Sequence, residues 1–131
     1  MEDSLAKLPG YALRRAAGTM MSDLATRLEP LDLRITEASI LVLIGDRHNV
    51  TASKIGRTFD IQRANMVPLL NRIEAKGLIE RVPIDRKSMA IVLTEQGMRK
   101  MEQAQKVVSK FEADLIARVP EKHREHLLPA L

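Results

Sequence analysis

The sequence contains no cysteine and no tryptophan, and its aromatic side chains are one tyrosine and two phenylalanines. The lack of cysteine excludes disulfides, thiol-based redox sensing and cysteine-ligated zinc. With aromatics at 2%, the core has to be built from Leu, Ile, Val, Ala and Met, which suits helix-on-helix packing. Seven methionines fit that role, since they fall on apolar stripes where they fill gaps. Long hydrophobic runs are missing as well. The longest, Ile40 to Ile44, is far too short to cross a bilayer. The N-terminus carries Glu2 and Asp3 instead of the basic-then-apolar order of a signal peptide, so a cytoplasmic protein with no membrane partner is expected. No phosphate-binding glycine loop, nucleophile elbow or metal-ligand cluster is present, which argues against an enzyme. His123 and His126 lie three apart but fall short of the four ligands of a structural zinc site, so neither a metal nor another cofactor is expected.

What is present points to one globular domain, residues 1–131, with 45% apolar and 29% charged residues. The net charge of +4 is concentrated. From Thr51 to Lys87 there are eight basic and four acidic residues, so this segment holds the whole excess and the rest of the chain is balanced. A neutral body with one basic segment is the footprint of a nucleic-acid binder.

Periodicity divides the chain. Pro9 and Gly10 open a helix whose stripe is Leu13, Ala17, Met20, Met21, Leu24 and Leu28, and Pro30 stops it. Thr36 is the expected N-cap of a second helix running to Gly45, apolar nearly all round and therefore central. Thr51 caps a short helix, Ala52 to Phe59. After a tight turn at Asp60 and Ile61, a longer helix runs from about Gln62 to Lys76, and Gly77 ends it. Short helix, turn and longer helix make a helix-turn-helix. The period then changes. Two β-branched runs, Leu78 to Val82 and Ala90 to Leu93, flank a charged tip and read as a β-hairpin. Thr94 and Glu95 start a last long helix with the stripe Met98, Met101, Val108, Phe111 and Leu115, broken by Pro120.

The expected fold is mainly α with a small β-hairpin wing: a winged helix-turn-helix flanked by long N- and C-terminal dimerisation helices. The DNA-binding lobe covers residues 36–93, and residues 1–30 with 95–131 form the dimerisation helices. Terminal stripes of this length either pack across a two-fold axis as a homodimer or fold back on their own chain. Paired half-sites favour the dimer.

Three blocks in register carry a family resemblance: Asn71 to Arg81, then Asp85-Arg86-Lys87, then Val92-Leu93-Thr94-Glu95-Gln96-Gly97. They resemble the recognition-helix end, the wing tip and the Leu-Thr-x-x-Gly segment of the MarR family of bacterial regulators. Two departures stand out. Lys87 replaces the usual arginine and loses its planar fork. Pro68 lies inside the recognition helix, where a kink is expected.

A recognition helix presents its first residues to base edges in the major groove. Here these are Gln62, Arg63, Ala64, Asn65 and Val67. Arg63 and Asn65 suit bidentate contacts to guanine and adenine, and Ala64 and Val67 suit a thymine methyl. Arg86 at the wing tip suits a narrow, electronegative minor groove. The resemblance implies that Asp85 braces the arginine beside it. Lys54, Arg57, Arg72, Lys76 and Lys87 read as phosphate contacts or plain solvated charge, and Arg72 has the alternative of pairing with Glu80 or Asp85. The partner is thus a double-stranded DNA operator, palindromic if the protein is a homodimer.

The resemblance further implies a small aromatic or carboxylate effector bound between the dimerisation helices and the DNA-binding lobe, which makes the protein a ligand-responsive repressor. Tyr11, Arg14, Arg15 and His48 are the candidate ligand residues. The competing reading is a winged helix used for protein–protein contact or architectural DNA binding without small-molecule control.

Overall fold

Capping residues punctuate the chain, and the elements fall between them. The computed structural model describes residues 4–131; Glu2 and Asp3, read above as arguing against a signal peptide, lie outside the described residues. Helix α1 spans Pro9–Leu28, with its proline in the first turn, where a missing amide costs nothing. A 3-10 turn, Glu29–Leu31, and a left-handed Asp32 lead to α2, Ile35–Asp46. Thr36 is not its cap. The helix starts two residues earlier, with Arg34 as the cap residue, and Glu37 Oε1 accepts from the Arg34 N–H at 2.9 Å. A carboxylate one turn into the helix reaches back to that orphan amide more strongly than a hydroxyl would.

The helix-turn-helix is as the spacing suggests. Thr51 Oγ1 accepts from the Lys54 N–H at 3.2 Å and caps α3, Ala52–Phe59. Asp60 is left-handed at φ 53°, and the Ile61 N–H donates back to the Gly56 carbonyl at 2.8 Å. Helix α4 then runs Arg63–Ala75 with Gln62 as its cap residue, one residue shorter at each end than expected. It continues through Pro68 without interruption. Strands β1, Ile79–Pro83, and β2, Met89–Leu93, pair antiparallel from Ile79 opposite Leu93 to Pro83 opposite Met89. On its other edge β2 is stitched to the loop before α3, because the Ile91 N–H donates to the Val50 carbonyl at 2.7 Å. Helix α5, Glu95–Arg118, a 3-10 turn and α6, Arg124–Ala130, complete the chain.

The Leu-Thr-x-x-Gly segment has a physical explanation. Thr94 Oγ1 caps α5 by accepting from the Gly97 N–H at 2.9 Å, and it donates to the Gly77 carbonyl at 2.6 Å. The Thr94 N–H donates to the Leu78 carbonyl at 3.0 Å. Gly97 is buried against that same carbonyl, and a Cβ there would lie 2.9 Å from the Leu78 carbonyl carbon and nearer still to its oxygen. The end of α4, the base of the wing and the start of α5 therefore meet at one point that admits no side chain.

The core is centred on α2, whose Ile40 and Leu41 are fully buried together with Ile55, Leu70, Ile73 and Leu78. Helix α5 adds Met101, Ala104 and Phe111, but Met98, expected on the same stripe, is 44% exposed. Only the C-terminal part of α1 joins the core, through Leu28 and the half-buried Leu24. There Arg27 binds Asp114 of α5 at 2.8 Å and stacks over the Phe111 ring. The earlier stripe residues Leu13 and Met21 remain exposed.

Candidate nucleic-acid interface

The basic segment splits into two classes of cation. Arg72, Lys76 and Arg81 are engaged within the fold. Arg81 pairs with Glu74 and donates to the side-chain Oδ1 of Asn71, each at 3.1 Å. Arg72 Nε lies 3.3 Å from Glu37 Oε2, and Lys76 Nζ is equally close to the same carboxylate. Arg72 therefore pairs with neither Glu80 nor Asp85. Lys76 Nζ also donates to the Asp32 carbonyl at 2.7 Å. Glu37 is the one fully buried charged residue among those described. Burial alone would raise its pKa. The Arg34 amide, Lys76 and Arg72 outweigh that and hold it below the ordinary carboxylate value.

Lys54, Arg57, Arg63, Arg86 and Lys87 form the second class: their side chains make no hydrogen bond or ion pair with any described residue. All but the half-buried Lys54 are exposed. Arg57 and Arg63 line an open groove of about 700 Å³ between α3, α4 and β1, floored by Met66 and Leu70. Gln62, Ala64 and Asn65 are exposed on the first turn of α4, and Val67 is 57% exposed one turn on. Neither Gln62 nor Arg63 caps the helix with its side chain. The first half of α4 thus offers free polar groups beside the exposed aliphatic side chains of Ala64 and Val67, while the half after Pro68 is anchored by Leu70, Ile73, Arg72 and the cap residue Lys76.

At the wing, Asp85 does something other than brace a guanidinium. Its Oδ1 accepts from the backbone amides of Lys87 at 2.8 Å and Ser88 at 2.9 Å. The Ile84 N–H donates to the Ser88 carbonyl at 2.9 Å and closes the loop. Asp85 therefore shapes the tip by satisfying turn amides, which leaves the Arg86 guanidinium free.

A second cleft, about 360 Å³, lies where α1, α2, α3 and α5 converge. Leu24, Val42, Phe59 and Val108 form apolar walls, with Ser39 and Arg47 among its polar groups. Tyr11, Arg14, Arg15 and His48 do not line it. The cleft opens on the last turns of α1, and Tyr11 lies thirteen residues before Leu24, or ~20 Å along the helix axis. The Arg15 guanidinium instead stacks 5.9 Å from the Tyr11 ring centroid, and His48 is exposed in the turn after α2. The structure therefore does not bring the four expected ligand residues together. Sequence reasoning missed Glu37, and it missed the cleft residues, whose only signal was an apolar helix followed by Asp46 and Arg47.

At the C-terminus His126 Nε2 lies 3.3 Å from Glu125, and no three metal-compatible side chains cluster among the described residues. No helix among them is long and apolar enough to cross a membrane.

Comparison with known proteins gives a consistent answer. The MarR family model matches residues 31–87. The chain is 27% identical over 96 residues to the organic hydroperoxide resistance transcriptional regulator of Bacillus subtilis, covering 72% of this chain and 65% of that protein. It is 27% identical over 94 residues to a putative transcriptional regulatory protein for the hcr operon of Thauera aromatica, covering 70% and 57%. The chain thus spans about three fifths of the length of these curated relatives. Among solved structures, the transcriptional repressor CouR superposes with a TM-score of 0.84 at 30% identity, over 96% of this chain and 90% of that one. CouR has also been solved on a 23-mer DNA duplex (TM-score 0.85, 27% identity, covering 99% and 95%) and with p-coumaroyl-CoA (0.86, 28%, covering 99% and 93%). A winged helix-turn-helix protein is the class that the fold defines. The chain belongs to the MarR family.

Proposed function

We propose that this chain is a sequence-specific regulator of transcription that binds a palindromic double-stranded operator as a homodimer and represses until a small effector releases it. The observation that carries the reading is the partition of the cations: those on the first half of α4, on α3 and at the wing tip have no side-chain partner among the described residues. In this reading Arg63 and Asn65, with Gln62, Ala64 and Val67, meet base edges, and Arg86 enters the adjacent minor groove. Lys54, Arg57 and Lys87 take phosphates. Residues 36–93 are the DNA-binding lobe.

Residues 1–30 with 95–131 serve dimerisation. Support comes from uncovered apolar side chains at both ends of the chain: Leu8, Leu13 and Met21 on one side, Ile116, Leu128 and Leu131 on the other. Each such side chain, fully buried, contributes about 1.5–3 kcal/mol, a strong drive toward a second copy.

The effector belongs in the cleft between α1, α2, α3 and α5. It holds Phe59 as an aromatic wall and is near the lower end of the ~300–1,000 Å³ range of ligand sites. That suits an aromatic acyl group, presented either as the free acid or as a thioester whose carrier stays outside, by analogy with the p-coumaroyl-CoA bound to CouR. A ligand here touches α1, α5 and α3 at once, so it bears on the dimerisation helices and the DNA-binding lobe together.

The test is selection of duplexes from a random pool, followed by titration at several salt concentrations and sedimentation of the free protein. A palindromic consensus, a dimer and a steep salt dependence are expected. Binding without sequence preference would favour an architectural role instead, and no DNA affinity would favour a protein-interaction module.

A further inference from the structure

Glu37 occupies an unusual place. A carboxylate with no solvent exposure sits in the first turn of α2, while both its cationic partners come from the far end of the recognition helix. Arg72 in the last turn of α4 and its C-cap residue Lys76 are four apart, so they project from one face, and the carboxylate lies between them. Its Oε1 also holds the Arg34 amide, and Lys76 reaches on to the Asp32 carbonyl in the joint between α1 and α2. The same joint is held from the other side, where Lys100 of α5 donates to the Leu31 carbonyl at 2.8 Å. The anchored half of α4 is therefore tied by charge-assisted bonds to α2 and to the joint leading into the body. Hydrophobic contacts from Leu70 and Ile73 press the helix inward but fix its rotation poorly. Directional bonds at its end fix rotation well.

We propose that Glu37 is a positioning residue for DNA recognition: it sets the angle at which the reading half of α4 enters the groove, and Arg72 and Lys76 act through it and not on phosphates. This rests on the reading of the chain as a sequence-specific DNA binder. It reassigns two cations that composition alone counts toward the DNA-facing charge. A phosphate contact and a positioning contact differ in what they do to salt dependence and to specificity. Loss of a phosphate contact weakens all duplexes about equally and lowers the salt slope by ~0.9. Loss of a positioning contact misaims the base-reading side chains, so it weakens the operator alone and leaves the slope unchanged.

The experiment uses the full chain with the selected operator and a scrambled duplex of equal length. Arg72→Gln, Lys76→Gln and Glu37→Gln are compared with wild type, and Arg57→Gln serves as the phosphate control. Arg72→Gln and Lys76→Gln should each lose about tenfold in operator affinity, hold scrambled-duplex affinity within about twofold, and keep the wild-type salt slope. Glu37→Gln should behave alike, and Glu37→Gln combined with Arg72→Gln should be no worse than Glu37→Gln alone, because both remove the same interaction. Amide exchange across Arg63–Ala75 should rise in these variants while that of α3 stays unchanged. If Glu37→Gln does not fold, the two partly exposed cations carry the test. Equal losses on both duplexes with a reduced salt slope, or full operator affinity in Arg72→Gln and Lys76→Gln, would overturn the proposal. If wild type shows no operator preference, the DNA-reading function itself falls; unchanged exchange in α4 then refutes the clamp independently.

Discussion

Gly97→Ala sets two rules against each other. Gly97 lies in the first turn of α5, and by helix propensity alone replacing a helical glycine with alanine stabilises by up to about 1 kcal/mol. The local geometry gives the opposite sign. A Cβ on Gly97 falls inside the Leu78 carbonyl, 2.9 Å from its carbon and 3.2 Å from the Leu78 Cα. These are backbone atoms at the base of the wing and cannot swing aside as a flexible side chain would. Either α5 or the Leu78–Ile79 segment has to move. Movement stretches the Thr94 N–H bond to Leu78 at 3.0 Å and the Thr94 Oγ1 bond to Gly77 at 2.6 Å. Overpacking costs about 1–3 kcal/mol, and each weakened hydrogen bond about 0.5–1.5 kcal/mol. A net loss of roughly 1–5 kcal/mol remains after the propensity gain. Urea denaturation at fixed protein concentration measures it, with the concentration held constant because a dimer's stability depends on it. Gly97→Ala equal to or more stable than wild type would refute the reasoning, since it would mean that the contact at Leu78 is not as tight as described.

Arg86→Ala should weaken operator binding at least tenfold, a contribution of about 1–3 kcal/mol per wing. The melting temperature and any dimer should be unchanged, because the side chain is exposed and makes no hydrogen bond or ion pair with a described residue; an affinity within twofold of wild type would remove the wing from the interface. Glu37 gives a pH prediction with a definite sign. Its folded pKa lies below the ordinary 4.5, so its contribution is fully present above that value and is lost as pH falls through the depressed folded value. The pH–stability curve of Glu37→Gln should therefore be flatter than that of wild type below about pH 4.5, and parallel acid limbs would contradict the ion cluster of Arg34 amide, Arg72 and Lys76. Finally, aromatic acids or their thioesters that bind the cleft should raise the melting point of wild type, a ligand at 100 times its Kd contributing about 2.7 kcal/mol. Val42→Phe, which fills the cleft wall, should abolish that shift while leaving operator affinity intact; an undiminished shift would place the ligand elsewhere.

The elements legible in the sequence were those written in local chemistry. Thr51, Gly77 and Thr94 each act within a few residues of where they stand, so α3, the end of α4 and the start of α5 could be located from spacing. Arg72 could not be assigned that way. Its partner, Glu37, lies 35 residues earlier, and no periodicity connects the two, so the nearer Glu80 and Asp85 looked like the available acids. Thr36 was read as a cap for a related reason, because the carboxylate that does the capping is recognisable only once its burial is known. Met98 illustrates a rotation error. Gly97 must face Leu78, and the next residue is turned about 100° away, which carries Met98 off the stripe that Met101 and Ala104 define. The expected ligand residues lie away from the cleft: Arg14 and Arg15 are attractive as carboxylate binders, but helical rise sets them apart from its lining within one chain.

Pro68 lies between the free cation of α4, Arg63, and the engaged pair, Arg72 and Lys76. Lacking an amide hydrogen, it cannot donate to the Ala64 carbonyl one turn back, yet α4 continues through it. The missing bond lies at the boundary between the exposed half, Gln62 to Val67, and the half that carries Leu70, Ile73, Arg72 and Lys76. A helix weakened at that point transmits orientation from its anchored end less rigidly than an unbroken one. The demand on the anchor rises accordingly, because any looseness at Arg72 and Lys76 adds to the freedom at the proline. A fully buried carboxylate is costly to desolvate and seldom a gain in stability over a packed apolar side chain. On the proposed reading, its presence at the base of a helix that lacks one hydrogen bond at its proline makes sense as directional control, with some stability given up for a defined angle of approach to DNA.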